Sequence, residues 1–464
     1  MGAALLISIT SFAVFFSKIA SFPLRNWDEA WYAEIIKNMA SGKYGILMPF
    51  WNGRYYFDNA PLYFWLSAPI FKIFGQGEWQ ARFVSATAAI FASYLIFLIG
   101  KKLKDETTGL ISTLVFLTLG GMVMRFAHGN LDALLICFFL ASFYFYLKSK
   151  EKKMYGFIAG ALIGLGFLIK SWGIGLFPLV LIFTYAFFKD KKLPRNSSLI
   201  ILGILIFSSW WYILGISKFG SQFINWYILN PSEGRLTDPF VNFSLEYFRF
   251  FIRDVGFWFL VPFAYLALKF RNIRKLDKNI VVPFLLLAAS FVFFLNFLSD
   301  KSDWYIIPAL LLISFVLGYL GRELYRSYPK LAISLISLIF IAQIFNVIRV
   351  ENIYPDRSKV GAELGLHAKN LIPEGEKIIL NDQDFTSFLF YSDHRQIYTL
   401  ENKTPKENEW WILNSQSLLP FLEKNPNTWI ITANLSNLPF EVKKEEIIDY
   451  WGNYYFLKIN SAGE

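Results

Sequence analysis

The sequence predicts a mainly α-helical, polytopic membrane protein with a small α/β domain at its C-terminal end. Three observations predict it. Of 464 residues 55% are hydrophobic and 19% aromatic, with 50 Phe, too apolar for a soluble chain. Up to residue 349 the chain repeats apolar stretches long enough to cross a bilayer, which takes about 20 residues as a helix within a range of about 17 to 25. Beyond residue 349 the pattern changes to short β-rich runs separated by polar and Pro-containing turns.

About eleven stretches qualify as spans on that length criterion. They lie near 3–22, 82–100, 108–125, 131–147, 155–170, 173–188, 197–217, 254–268, 280–298, 304–320 and 331–348. The first has neither a basic leading segment nor a small-residue cleavage pattern, so it reads as a retained helix rather than a signal peptide. In the loop that follows, "NWDEAWYAEIIKNM" (26–39) has apolar residues at 30, 31, 35, 36 and 39, which predicts an interfacial amphipathic helix. "LYFWLSAPIFKIFG" (62–75) is short and interrupted by Pro69, so it reads as interfacial or re-entrant. The tail holds "KIILND", "QIYTL", "WWILN", "TWIITA" and "YYFLKI" as candidate strands. The domains expected are 1–349, transmembrane, and 350–464, extracytoplasmic.

Charge sets the orientation. The loops 101–107, 148–153, 189–195, 269–278 and 321–330 hold 19 Lys and Arg against 6 acids and fall on one side of the eleven-span arrangement, the cytoplasmic side by the positive-inside rule. They account for more than the whole net charge of +10, so the basic excess is a topology signal. It forms no contiguous stripe, which excludes nucleic acid as a partner and leaves membrane lipids. The chain is therefore expected in the plasma (inner) membrane, with the tail and the acidic loop outside. A single cysteine, Cys137, gives neither a disulfide framework nor a cysteine metal site.

Ionisable groups inside a span cost roughly 2.5 to 3.5 kcal/mol each, so their clustering is informative. Here they gather at the outer ends of the spans: Arg125, His128, Asp132, Lys170, Arg253, Asp254, Asp300, Lys301 and Asp303. Cations on the side that the topology rule leaves poor in them invite an anionic partner such as a lipid phosphate. Simpler readings stand beside this. Asn26 with Glu29 fits a capping box and Asp28 complements a helix dipole. Asp132 after Asn130 fits a helix start. Lys170 and Lys301 near helix ends fit snorkelling. His128 fits a hydrogen-bonded structural imidazole, and three histidines in the chain argue against a histidine-rich metal site.

The order of "NWDEAWYAEIIKNM", "WNGRYYFDNAPLYFWL" (51–66), "EWQARFVSA" (78–86), "HGNLDALLICFF" (128–139), "GLGFLIKSWG" (164–173) and "LSDKSDWYIIPAL" (298–310) resembles the membrane glycosyltransferases of the GT-C fold. The branch is the one with ArnT-like aminoarabinose transferases and protein O-mannosyltransferase relatives, and the similarity covers roughly 20–350. The resemblance implies transfer of a sugar from a polyprenyl phosphate to an acceptor lipid, glycan or protein at the outer face. It implies Asp28 as the catalytic base with Glu29 beside it, and Asp132 as a second acidic position. It places Tyr55, Tyr56, His128 and Tyr305 within motifs that would contact substrate. Where the family reads Asp-Lys-Pro-Pro or Glu-Lys-Pro-Pro, this chain has Asp58, Asn59, Ala60 and Pro61. Asn59 cannot supply the lysine charge associated with the carrier phosphate, so Arg54, Lys170 or Lys301 is expected to replace it.

The chemistry fits such a set. Glycosidases need two carboxylates because an alkoxide must be protonated as it leaves. A phosphate, with a second pKa near 6, leaves as an anion and needs cations instead, so one base suffices. A single displacement with inversion follows. No cofactor is required; a divalent Mg or Mn ion at Asp28, Asp58 or Asp132 is the open alternative. Trp27, Trp31, Trp51, Tyr55 and Tyr56 read either as sugar-stacking rings or as an interfacial aromatic belt. The rival functions are a lipid-linked sugar flippase or transporter and an inactive membrane scaffold. Transporters place binding groups at the bilayer midplane between internal repeats, a pattern absent here.

Overall fold

The computed structural model describes residues 2–17, 19–170, 172–229, 243–269, 276–298, 301–353, 358–381, 385–394, 396–405 and 409–459. Asp300 lies outside them. The chain forms two compact units, Met1–Ile19, Phe57–Ser67 and Arg82–Pro355 in the first, and Ala20–Tyr56, Ala68–Ala81 and Asp356–Glu464 in the second. The C-terminal division falls between Pro355 and Asp356, and the second unit also takes in most of the first outer loop. A linear reading places that loop with the membrane domain because chain order does not report which strands it packs on.

The first unit is helical. Each of the eleven expected stretches falls on a helix, and eight of the described helices are long and apolar enough to cross a membrane. Glu106–Phe116 and Gly120–Phe126 together make a ninth candidate, bent by 73°. The stretches at 3–22 and 155–170 form the shorter helices Gly2–Phe16 and Met154–Phe167. At 1.5 Å per residue, 14 residues rise about 21 Å, short of a hydrocarbon core of about 30 Å. Asp303–Ser327 is the most enclosed span, with 89% of its apolar window buried.

Two local features shape this bundle. Met154–Phe167 packs on Ser197–Phe223 backbone to backbone, and a Cβ on Gly160 would lie 2.0 Å from the Ile200 carbonyl oxygen. Such small-residue contact is what association between membrane helices favours, since lipid tails are as apolar as leucine. The break at 117–119 precedes the paired Gly120 and Gly121, a usual site of sharp kinks. There Thr118 donates to the Leu114 carbonyl and accepts from the Trp258 indole at 2.9 Å.

The second unit is built on a six-stranded sheet. Its strands lie in the order β5 (Ile412–Leu413), β4 (Ile397–Leu400), β3 (Ile378–Leu380), β6 (Thr428–Thr432), β8 (Tyr454–Ile459), β7 (Ile447–Trp451). The first four are parallel and the last two pair antiparallel. β3 and β6 are buried along their whole length, as parallel strands covered on both faces must be. All five candidate strands in the tail are present. β7, which the sequence reading did not pick out, is the edge strand and is half-buried in alternation.

The first outer loop docks on this sheet. Phe50–Trp51 (β1) and Arg54–Tyr55 (β2) form a hairpin whose turn, Asn52-Gly53, has φ of 43° and 86°. Asn-Gly is the favoured pair for a two-residue turn that needs positive φ twice. The Asn52 carboxamide then donates to the Ile397 carbonyl at 2.8 Å and accepts from its N–H at 2.9 Å, adding itself to β4. Helix Asp28–Ala40 carries the apolar positions 30, 35, 36 and 39, all buried, and packs on Thr386–Ser392 and β1. The face that the sequence offers to headgroups is turned into protein.

Candidate active site

In the first unit the polar groups at the helix ends assemble into ion pairs. Asp132 lies in the first turn of Leu131–Lys148, where the Asn130 side chain caps the helix by accepting from the Asp132 N–H at 2.9 Å. Arg125, in the last turn of Gly120–Phe126, donates through Nε to Asp132 Oδ2 at 2.7 Å. Lys170, just beyond the end of Met154–Phe167, donates to Asp132 Oδ1 at 2.9 Å. The helix-start reading of Asp132 and its reading as a site residue therefore both describe the same side chain. One carboxylate fixes two cations that come from different helices.

A second cluster lies in the same unit. Arg253 donates to Asp254 at 2.7 and 3.1 Å and to Asp303 at 3.1 Å, and Asp254 is fully buried. The short turn Asp303–Ile306 joins the two clusters, because Trp304 beside Asp303 lies under Arg125, with the guanidinium 4.2 Å from the ring centroid. Sequence reasoning noted Arg125 and Asp303 as charges but assigned them no role, and it passed over Trp304. The seven-residue interval from Arg125 to Asp132, spanning a turn, is the signal that could have found the pair.

Other expected residues are placed differently. Lys301 donates to the Asn296 and Leu298 carbonyls, capping the end of Lys278–Leu295. Tyr305 packs edge-on against Trp304. The His128 carbonyl accepts from Asn130 in the turn before Leu131. Asp58 is exposed and Asn59 buried. The Leu62 N–H donates to the Leu168 carbonyl at 2.7 Å, which sets segment 58–61 beside the one that ends in Lys170.

In the second unit, "NWDEAW" is organised by its neighbours. The Asn26 side chain accepts from the Ser387 N–H at 3.0 Å, in the first turn of Thr386–Ser392. Trp27 precedes Asp28–Ala40 with φ 64°, a conformation that costs a non-glycine residue free energy and is held by the Trp27 N–H donating to Thr386 at 2.5 Å. Glu29 is buried and accepts from the Arg25 N–H at 2.7 Å, so it closes the turn before the helix. Asp28 is half-buried at the first helical position.

The aromatics of this loop divide. Trp31 stacks on Trp51 at 4.0 Å, with Tyr56 and Trp411 around them, so these rings form a core rather than a sugar platform or a membrane belt. Tyr55 packs on Phe50, and Arg54 lies over the Trp410 ring at 5.4 Å. Trp27 remains 47% exposed. Asp132 does not fit a divalent-ion role, since cations already occupy both of its oxygens. Among the described residues no group of three or more His, Cys, Asp or Glu is arranged to hold a metal.

Residues 58–213 match the family model described as dolichyl-phosphate-mannose-protein mannosyltransferase. The chain is 28% identical over 201 residues to the undecaprenyl phosphate-alpha-4-amino-4-deoxy-L-arabinose arabinosyl transferase of Aeromonas hydrophila, covering 41% of this chain and 36% of that one. Its match to the corresponding Pseudomonas fluorescens enzyme runs over 334 residues at 23% identity, 68% of this chain and 59% of the relative. The crystal structure of ArnT from Cupriavidus metallidurans bound to undecaprenyl phosphate aligns over 98% of both chains with a TM-score of 0.77 at 14% identity. The oligosaccharyltransferase of Archaeoglobus fulgidus aligns over 93% of this chain and 67% of its own, with a TM-score of 0.62. With its bundle of apolar helices and C-terminal sheet unit, the chain shares the fold of these solved structures, and over parts of its length it is similar in sequence to ArnT-like membrane glycosyltransferases.

Proposed function

We propose that this protein moves a sugar from a polyprenyl-phosphate carrier to an acceptor lipid, glycan or protein on the outer face of the plasma (inner) membrane, with inversion at the anomeric carbon. The observation that carries this reading is the pairing of Arg125 and Lys170 through Asp132. Two cations fixed on one carboxylate leave a net positive site at helix ends, suited to the charge that grows on a departing phosphate. Being already held in place, they need little reorganisation during the reaction. Lys170 takes over the charge that Asn59 lacks, a role supported by the hydrogen bond that ties Leu62 to Leu168. Asp28 acts as the base that removes the proton from the acceptor hydroxyl. If the acceptor is a phosphate, Asp28 orients it instead.

Polar groups at helix ends favour chemistry at the membrane surface over passage through it. The test is incubation of the purified protein with a panel of polyprenyl-phosphate sugars and candidate acceptors, read as a mass shift on the acceptor. Movement of labelled lipid between leaflets with no glycosidic bond formed would defeat the reading.

A further inference from the structure

The parallel strands β3, β4 and β5 end at one edge of the sheet, and a cleft of about 720 Å³ opens there within the second unit. That volume lies inside the range of roughly 300 to 1,000 Å³ typical of small-molecule sites. The position is also the expected one. Open α/β sheets bind ligands outside the carboxyl ends of their strands where the order reverses, and here β4 leaves β3 on one side while β6 lies on the other.

The lining says what kind of ligand would fit. Asn381, Asn402 and Asn437 contribute carboxamides, groups that donate and accept and so match neighbouring hydroxyls; Asn381 already donates to Thr432 at 3.1 Å and Asn437 accepts from Asn434 at 3.4 Å. Trp27, 47% exposed, contributes aromatic surface for the apolar face of a sugar ring. Trp411, 8% exposed, borders the cleft, and its buried indole N–H has no acceptor among the described residues. An anion is poorly matched. The cation of the lining, Lys403, is held by Glu401 and Glu409 at 3.2 Å each, so the carboxylates outnumber it.

We infer that this cleft binds an unphosphorylated saccharide, the sugar portion of the acceptor. The inference rests on the reading of Asp28 as base, since Trp27, strained at φ 64° and lining the cleft, is joined directly to it.

The test uses the full chain in nanodiscs and saturation-transfer NMR with tetrasaccharides of glucose, mannose and N-acetylglucosamine, with inorganic phosphate and a nucleoside diphosphate as comparators. At least one tetrasaccharide binds saturably. Asn402→Ala and Glu401→Gln each weaken it about tenfold, a difference of about 1.4 kcal/mol, while Lys102→Met, at an exposed residue outside the second unit, leaves it intact. Failure of every tetrasaccharide to bind, binding that survives both cleft variants, or saturable binding of phosphate in their place overturns the inference. Saccharide binding by a chain that forms no glycosidic bond with any donor sinks the transferase reading and leaves the cleft standing. Transfer whose acceptor KM is untouched by Asn402→Ala sinks the cleft alone.

Discussion

Replacing Lys170 by Met removes one of the two cations on Asp132 and keeps the length of the side chain. At 2.9 Å the Lys170–Asp132 attraction is about 6 kcal/mol at an effective dielectric of 20. Desolvation of two largely buried groups offsets most of it, and Arg125 still satisfies the other oxygen. The loss of folding stability is therefore about 1 to 3 kcal/mol, the cost of one unmet charged partner. The loss in rate is larger. Removing one preorganised group from a developing anion costs about 2.7 to 4 kcal/mol, or roughly 10² to 10³ in turnover. Transfer from a polyprenyl-phosphate sugar, followed by mass spectrometry under single-turnover conditions, measures it, with thermal melting as the folding control. Adding Asn59→Lys to Lys170→Met restores at least about tenfold, or about 1.4 kcal/mol of barrier, because segment 58–61 is tied beside 168. Turnover within about threefold of the parent in a folded Lys170→Met protein would refute the assignment, since that is under 1 kcal/mol.

Asp28→Asn keeps the shape of the side chain and removes its basicity, so turnover falls about 10² to 10⁴ while the donor lipid still binds, measured by equilibrium binding beside the transfer assay. In the second unit, burial works against the Asp393 and Lys37 charges, but their mutual contact at 2.6 Å, with Glu34 also on Lys37, lowers the Asp393 pKa and raises that of Lys37. The stabilisation from this pair is thus full between about pH 4 and pH 10, fades as pH falls through the lowered Asp393 value, and fades as pH rises through the raised Lys37 value. Melting curves of the full chain from pH 2 to 8 check the acid limb, which flattens in Lys37→Met. Asn52→Ala strips two hydrogen bonds from the Ile397 backbone in a buried setting and lowers stability by about 2 to 3 kcal/mol, read in denaturant titration.

The helices around 131–148 and 303–327 and the strands β3 to β6 were all legible, because each is a local run of the right period and length. So was the gathering of charge at helix ends, which insertion energetics enforces residue by residue. The partners of those charges were not. Nothing in "NWDEAW" says that Asn26 serves the helix at 386 or that Glu29 closes a turn on Arg25. Nor does the sequence say that Lys301, one of three candidate cations with Arg54 and Lys170, donates to the Asn296 carbonyl at a helix end. Asn52-Gly53 carried a hairpin signal in plain sight, but its docking on β4 depends on a strand far along the chain.

What the sequence by itself determined is the class of molecule: a chain of apolar helices with a sheet domain at the end. Burial free energy of this kind adds up over a window of neighbouring residues, so a window suffices to read it. What the tertiary structure decided is which carboxylate meets which cation and which edge of the sheet is open. Those interactions act over a few ångströms between residues far apart in sequence, and only the folded chain brings them within that range.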